Sequence, residues 1–337
     1  MSDAYTFGPR ALTALLLTTQ LISAGRALGA AQAGAPPSGS RPFSELTPTA
    51  TIHLGKTADW VVVTPDAVWV GGTGPNAVHR IDPVTNKEVA TVKLAGEPCA
   101  GLAVGFGSVW IPLCTQPTTL AKVDLRRNTV TALIPTGPAG PEGGVAAGGD
   151  SVWLVVDSAG SLARIDPDTG AVRQTIRVPA GSYNPFFSDG RVWVTRADGA
   201  ELTSIDAASG RVLGTTQTGP GPRFLTAGGG SVWTLNQGDG SLTRIDVRTG
   251  RSLGTIPLGT PGHGGDIGFG GGMVWTTMPQ VPLSAVNAGS FKLQCQWAGP
   301  GGDSLGIGHG AIWLTDYHAG TISRLELTAV VNQCGTR

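Results

Sequence analysis

Charge is scarce in this chain of 337 residues: Asp, Glu, Lys and Arg make up 14% of it, with 23 basic side chains against 23 acidic. That balance leaves no broad basic surface for a polyanion, so no nucleic-acid partner is expected. Cysteines number only four and never occur as C-x-x-C or C-x-x-C-H, which removes zinc ribbons, redox dithiols and covalent haem. Gly-x-Gly combinations such as Gly105-Phe106-Gly107 read as hairpin turns and lack the helix that a dinucleotide site needs. No Ser–His–Asp order and no metal motif stands out. Haem, NAD and PQQ are accordingly not expected. The apolar stretch at residues 11–24 is about fourteen residues, too short to span a bilayer comfortably.

That stretch has a different use. Arg10 precedes it and the small residues Ala31-Gln32-Ala33 follow, the order of an export signal over residues 1–33. A retained membrane anchor, or a cytosolic chain with a fortuitous apolar start, is the alternative. A twin-arginine pair and a lipobox cysteine are both lacking. Residues 34–48, rich in Pro, Ser and Gly, read as a flexible leader. The mature chain is thus expected to be exported, to the periplasm or beyond, with no membrane span.

What the sequence has in quantity is repetition. Val/Ile–Trp pairs recur at Trp69, Trp110, Trp153, Trp193, Trp233, Trp275 and Trp313, each just after a Gly- or Asp-marked turn. A second ladder keeps the same step at Asp82, Asp124, Asp166, Asp206, Asp246, Asn287 and Glu326. Two independent landmarks with one period of about forty residues, built from short strands, predict an all-β, seven-bladed propeller with four-stranded blades. The seven units fill residues 49–327 and leave only a short tail, 328–337, with no room for a second domain.

Blade five shows how a unit is written. Strands are expected at 223–227, 231–235, 241–246 and 251–258, joined by a Gly-Gly-Gly turn, a polar loop and an Asp…Thr-Gly turn. The Asp carboxylate accepts turn N–H bonds and Gly takes the positive φ; a calcium loop would need denser oxygens. The tryptophans sit in the second strand, where blades pack face to face, and read as inter-blade core. The last unit lacks a fourth strand, while residues 50–54 form an orphan strand ahead of the first. The N-terminal strand should therefore complete the final blade and leave the ring without an open edge.

Four cysteines in an exported chain point to disulfides, with free buried thiols as the alternative. A two-residue turn at Phe106-Gly107 places Cys99 across from Cys114, within bridging distance. Cys295, in the outer strand of blade six, would then bond Cys334 in the tail.

Propellers usually place sites where the loops before the inner strands meet those after the second strands, a guide by analogy of fold. Counting from each Trp, the tenth residue before it should oppose the third after it. Blade seven then juxtaposes Asp303 with Asp316, blade four Tyr183 with Arg196, and blade five Arg223 with Asn236; Glu142 comes opposite Asp157 one step further out. Two adjacent carboxylates share a proton or hold a cation, and Mg²⁺ or Ca²⁺ suits such oxygens. Asp59, Asp266, His263, Tyr317 and His318 lie nearby; the alternative is a solvated acidic rim. Tyr183, Asn184, Arg196, Arg223, Phe224 and Asn236 would make an opposite cationic and aromatic arc, suited to clamping a carboxylate or sugar and stacking a flat ligand. Arg196 has Asp198 as an alternative partner. Trp60, outside the ladder, would line the channel mouth.

The repeat, as in Ser151-Val152-Trp153 followed by Arg164-Ile165-Asp166-Pro167-Asp168-Thr169-Gly170, resembles the bacterial propellers grouped around virginiamycin B lyase and the YncE-type (YVTN-repeat) proteins. The resemblance covers roughly residues 50–327 and rests on turn and packing positions. It implies a monomeric propeller and, for the lyase, Mg²⁺-dependent elimination on a cyclic depsipeptide. That family pairs a His before an inner strand with a Glu after a second strand. His263 stands where such a His would, but Thr277-Met278-Pro279 faces it without an acid; blade seven has Asp303 and Asp316 with Gly301-Gly302 in place of the His. The first expectation is an exported recognition scaffold holding a small molecule, glycan, peptide or envelope protein. The alternative is a metal-dependent lyase or hydrolase, with Asp303, Asp316 and Asp266 holding Mg²⁺ or Ca²⁺ at the mouth of blades six and seven and His263, His318 or Asp316 as catalytic groups. A purely structural envelope protein is the third.

Overall fold

The computed structural model describes residues 37–335; the expected export signal lies outside them. Seven antiparallel sheets of four strands follow one another along the chain, and the sixth carries a fifth strand. The inner strands are Thr57–Thr64, Ala103–Gly105, Val145–Gly148, Ser182–Ser188, Pro222–Gly228, Asp266–Gly270 and Leu305–Gly308. Strand Ala50–His53 pairs antiparallel with Thr321–Glu326, Ile52 opposite Ile322, so the N-terminal strand completes blade seven as expected. The ring closes tightly there. A Cβ on Gly306 would lie 2.7 Å from Val61 of blade one, so only glycine admits the neighbouring valine.

All seven ladder tryptophans are completely buried. The indole N–H of Trp110, Trp153, Trp233 and Trp275 donates to the carbonyl of the glycine five residues earlier, at 3.0–3.1 Å. Arg80, Lys122, Arg164, Arg244 and Arg324 lie over the rings of the ladder tryptophans in their own blades. These five rings thus fill the wedge between blades with a cation over each. The Asp ladder is turn chemistry: Asp82, Asp124, Asp166 and Asp246 each accept N–H bonds from the residues two and three ahead. Those bonds favour the carboxylate and hold Asp166 down to about 2.

The chain ends do more than a leader and a tail would. Arg41–Pro42 adds a parallel strand beside Lys292–Ala298, and Leu46 is buried just after it. Leu327–Cys334 is a helix, with Leu327, Val330, Val331 and Cys334 packed on the core of blades six and seven. Spacing of three, four and seven residues puts these four on one helical face. Cys295 bonds Cys334, and Cys99 bonds Cys114 with Cα atoms 5.7 Å apart, so both expected pairings are present. Arg41 ties the two ends together: its guanidinium donates to the Gln333 carbonyl and pairs with Glu45 at 2.8 Å.

Candidate functional site

The inner strands enclose a central cavity of about 190 Å³, lined by Trp60, Leu102, Asn184, Phe224, Asp266 and Ser304, among others. Trp60 from blade one and Phe224 from blade five meet across the ring, with centroids 5.8 Å apart and planes tilted by 55°. Both are nearly fully buried, so the two rings plug the channel below its mouth. Blades two and three meet backbone to backbone at Gly101 and Gly144, which form a parallel bridge. A Cβ on Gly144 would sit 2.0 Å from the Asn184 side-chain oxygen, so the glycine is needed for that approach.

Carboxyl groups collect at this mouth. Asp59, just before Trp60, accepts the Trp60 N–H at 2.8 Å and hydrogen-bonds to Asp303 of blade seven. Burial pushes Asp59 well above the usual carboxylate range, and the charges of Asp303, Glu142 and Asp266 push it further. Asp303 is also raised, chiefly by burial, with the Asp59 bond acting against the shift. Two buried carboxyl groups in contact resist ionising together, and the more strongly raised Asp59 is the one that favours keeping its proton. Asp266 accepts from Ser304 Oγ (2.6 Å), Leu305 N–H (3.2 Å) and Ile267 N–H (2.8 Å); burial still lifts it to about 6. Glu142 sits at φ 64°, a left-handed conformation anchored by its own N–H to the Cys99 carbonyl at 2.8 Å. It too is raised, mainly by burial, while Arg223 draws it down.

Facing the acids is a smaller cationic and aromatic group. The Arg223 guanidinium lies 4.3 Å from the Tyr183 ring centroid and donates to the Tyr183 hydroxyl at 2.8 Å. Burial raises the Tyr183 phenol, Arg223 opposes the shift, and Glu142 adds to it. Tyr317 packs edge-on against His318, 5.3 Å between centroids, and feels the charges of Asp59, Glu97, Asp303 and Glu142. His318 is exposed and lowers Asp303 electrostatically, so it lies on the acidic side.

The register treats the expected pairings differently. In blade seven the paired residues run from Leu305–Leu314 to Gly308–Ala311 and stop short of Asp303, whose N–H donates to the Thr315 carbonyl at 2.9 Å. Asp303, however, makes its side-chain bond to Asp59, not to Asp316, whose own carboxylate accepts the Ala319 N–H. In blades four and five a register shift moves the pairing by one residue: Ser182, not Tyr183, faces Arg196, and Pro222, not Arg223, faces Asn236. Arg196 pairs with Asp198 and Glu201, both at 2.9 Å. Asn236 is completely buried, its amide bonded to Ser241 and Thr243. Neither side chain joins the arc. The same shift turns Tyr183 and Arg223 toward each other, a contact the counting rule missed. Glu142 and Asp157 also part, since Asp157 caps the Ser161 N–H and Glu142 faces the mouth. His263 is exposed, and the strand it leads into pairs Asp266 with Thr277. Among the described residues no three His, Cys, Asp or Glu side chains are grouped closely enough to hold a metal ion.

The family model described as outer membrane protein assembly factor BamB matches residues 76–292, well over half of the chain. A search of curated proteins finds no match. Among solved structures, BamB from Moraxella catarrhalis superposes with a TM-score of 0.59 at 14% identity, covering 83% of this chain and 99% of that one. As many as 1560 solved chains match, so at this identity the likeness carries the architecture alone.

Proposed function

The chain belongs to the family of the outer membrane protein assembly factor BamB, and from that premise we propose that it is an exported scaffold that holds a protein partner at its channel mouth. One observation carries the reading. The mouth is plugged by Trp60 and Phe224 and rimmed by two opposed sets of groups: the acids Asp59, Asp303 and Glu142, and the stacked Arg223–Tyr183 pair. A plugged channel offers a surface and not a passage. Rigid aromatic and Arg groups around a desolvated floor are the residue types that dominate protein interfaces. A partner segment would place a basic side chain among the carboxyls and an acidic or aromatic one on Arg223 and Tyr183. Export is supported by the two disulfides, which persist in oxidising compartments. No helix among the described residues is long and apolar enough to cross a membrane.

The test is photo-crosslinking in the producing cell, with a benzophenone amino acid at Tyr317 on the mouth or at Val172 on the exposed outer strand of blade three. Protein adducts at Tyr317 that are absent at Val172 and diminished by Arg223→Ala are the expected result. Equal adducts at both positions would overturn it. The lyase resembling virginiamycin B lyase is the second reading, favoured by the raised Asp303 carboxyl beside His318. Its signature is Mg²⁺-dependent cleavage of a cyclic depsipeptide, lost in Asp303→Asn.

A further inference from the structure

We propose that the turn end of blade two, on the face opposite the channel mouth, is a second binding site, one that takes an acidic segment of a protein partner. The repeat itself supplies the controls. Four residues before each ladder Trp, the first hairpin turns through Pro65, Phe106, Gly149, Asp189, Gly229, Gly271 and His309. Every one except Pro65 has positive φ. Glycine is at ease there, and Asp and His are tolerated, but an aromatic side chain is strained. Phe106 holds φ 54° and nevertheless leaves its ring 40% exposed. Neither turn formation nor core packing explains that choice.

A second departure falls at the same place. Three residues after the ladder Asp or Asn, blades one and three to six carry a hydroxyl: Thr85, Thr169, Ser209, Thr249 and Ser290. Blade two carries Arg127 instead, beside Arg126. Phe106, Arg126 and Arg127 line one open cavity of about 600 Å³, together with Lys122. The charges there are poorly neutralised. In blades one and three the stacked Arg pairs with an acid in the first turn, Arg80 with Asp66 at 2.8 Å and Arg164 with Asp150 at 2.7 Å. Blade two has Phe106-Gly107 at that turn, so Lys122 donates to the Pro167 carbonyl instead. Arg127 reaches Asp124 only at 3.5 Å with most of its surface exposed, and Asp124 is the sole acid lining the cavity.

Guanidinium forks grip carboxylates through paired N–H bonds, and an exposed ring beside them supplies an apolar anchor. The cavity is too roomy for a single ion and suits two or three side chains of a peptide. One Asp124 oxygen is committed to its own turn through the N–H groups of Arg126 and Arg127, which leaves only the long contact to Arg127 from the other.

The test titrates the purified protein with a fluorescein-labelled peptide of Glu residues around one Trp. A Lys-for-Glu peptide, inorganic phosphate and phosphatidylglycerol vesicles are run alongside. The acidic peptide should bind, and more weakly as salt rises. Arg126→Ala/Arg127→Ala should weaken it by at least about tenfold. Phe106→Gly should weaken it several-fold while raising the melting temperature, because glycine relieves the positive φ; a merely structural Phe106 would not separate the two. Arg248→Ala, the matching position on blade five, should leave affinity unchanged. Undiminished peptide binding in the double Arg variant overturns the proposal, as does binding to the vesicles with none to the peptide.

Discussion

Asp59 and Asp303 meet across the junction of blades one and seven, joining the first and last repeats at the channel mouth, and burial raises both carboxyl groups. Asp59 also accepts the backbone N–H of Trp60, the residue whose ring plugs the channel. The pair therefore links ring closure, the plug and the charge of the mouth.

Asparagine reproduces the protonated Asp59: its carbonyl accepts the Trp60 N–H and its amide donates to Asp303. Asp59→Asn should raise the melting temperature at pH 7.5 by about 1–2 °C, roughly 1 kcal/mol for about 300 folded residues, because folding no longer has to take up a proton at a pH where the unfolded Asp is ionised. Asp303→Asn leaves Asp59 without its acceptor and should not stabilise. Thermal denaturation of the two variants decides it; equal stabilisation would sink the assignment of the proton to Asp59.

Stability should peak between about pH 4 and 5. Asp59, Asp266, Asp303 and Glu142 are raised in the fold, so the native state binds more protons than the unfolded chain above pH 4. Their contribution is present at acid pH and is lost as pH rises, for Asp266 through about 6. Its rise from 3.8 to about 6 corresponds to roughly 3 kcal/mol. The turn aspartates act in reverse: depressed in the fold, they lose their contribution as pH falls below 4, for Asp166 towards about 2. A melting temperature that climbs steadily from pH 4 to 8 would contradict this balance.

Removing the plug should be costly. Trp60→Ala empties the ring that meets Phe224 and should destabilise the propeller by about 3–5 kcal/mol in urea unfolding. Trp60→Phe keeps an apolar plug and should cost less than half as much. Similar losses from both would mean that the Trp60–Phe224 contact contributes little.

The architecture was legible because a propeller repeats its landmarks. The Trp at Trp153 recurs in every blade and the Asp at Asp166 in five of seven, and the orphan strand at Ala50–His53 completed the count. The site was less legible, since it is built from what does not repeat. A rule that counts from Trp233 to Asn236 fails once a register shift before Phe224 moves the pairing by one residue. The partnership of Asp59 with Asp303 crosses the ring closure, where no local spacing reports it. The terminal helix was different: Leu327, Val330, Val331 and Cys334 displayed a helical spacing that the strand period hid.

The terminal clasp should unfasten as a unit. Arg41 holds Gln333, the strand at Arg41–Pro42 lies on the outer edge of blade six, and the bond from Cys295 to Cys334 spans 39 residues. A loop of that length constrains the unfolded chain enough for a disulfide to contribute on the order of 2–4 kcal/mol. Cys295→Ser/Cys334→Ser should therefore lower stability by that amount and expose the backbone of Leu327–Cys334 and of Arg41–Pro42 to hydrogen exchange together, since Arg41 loses its carbonyl partner when the helix lifts. Blade two, stapled separately by Cys99 and Cys114, should exchange as before. Faster exchange in the helix alone, with Arg41–Pro42 still protected, would show that the strand is held by blade six and not by the clasp.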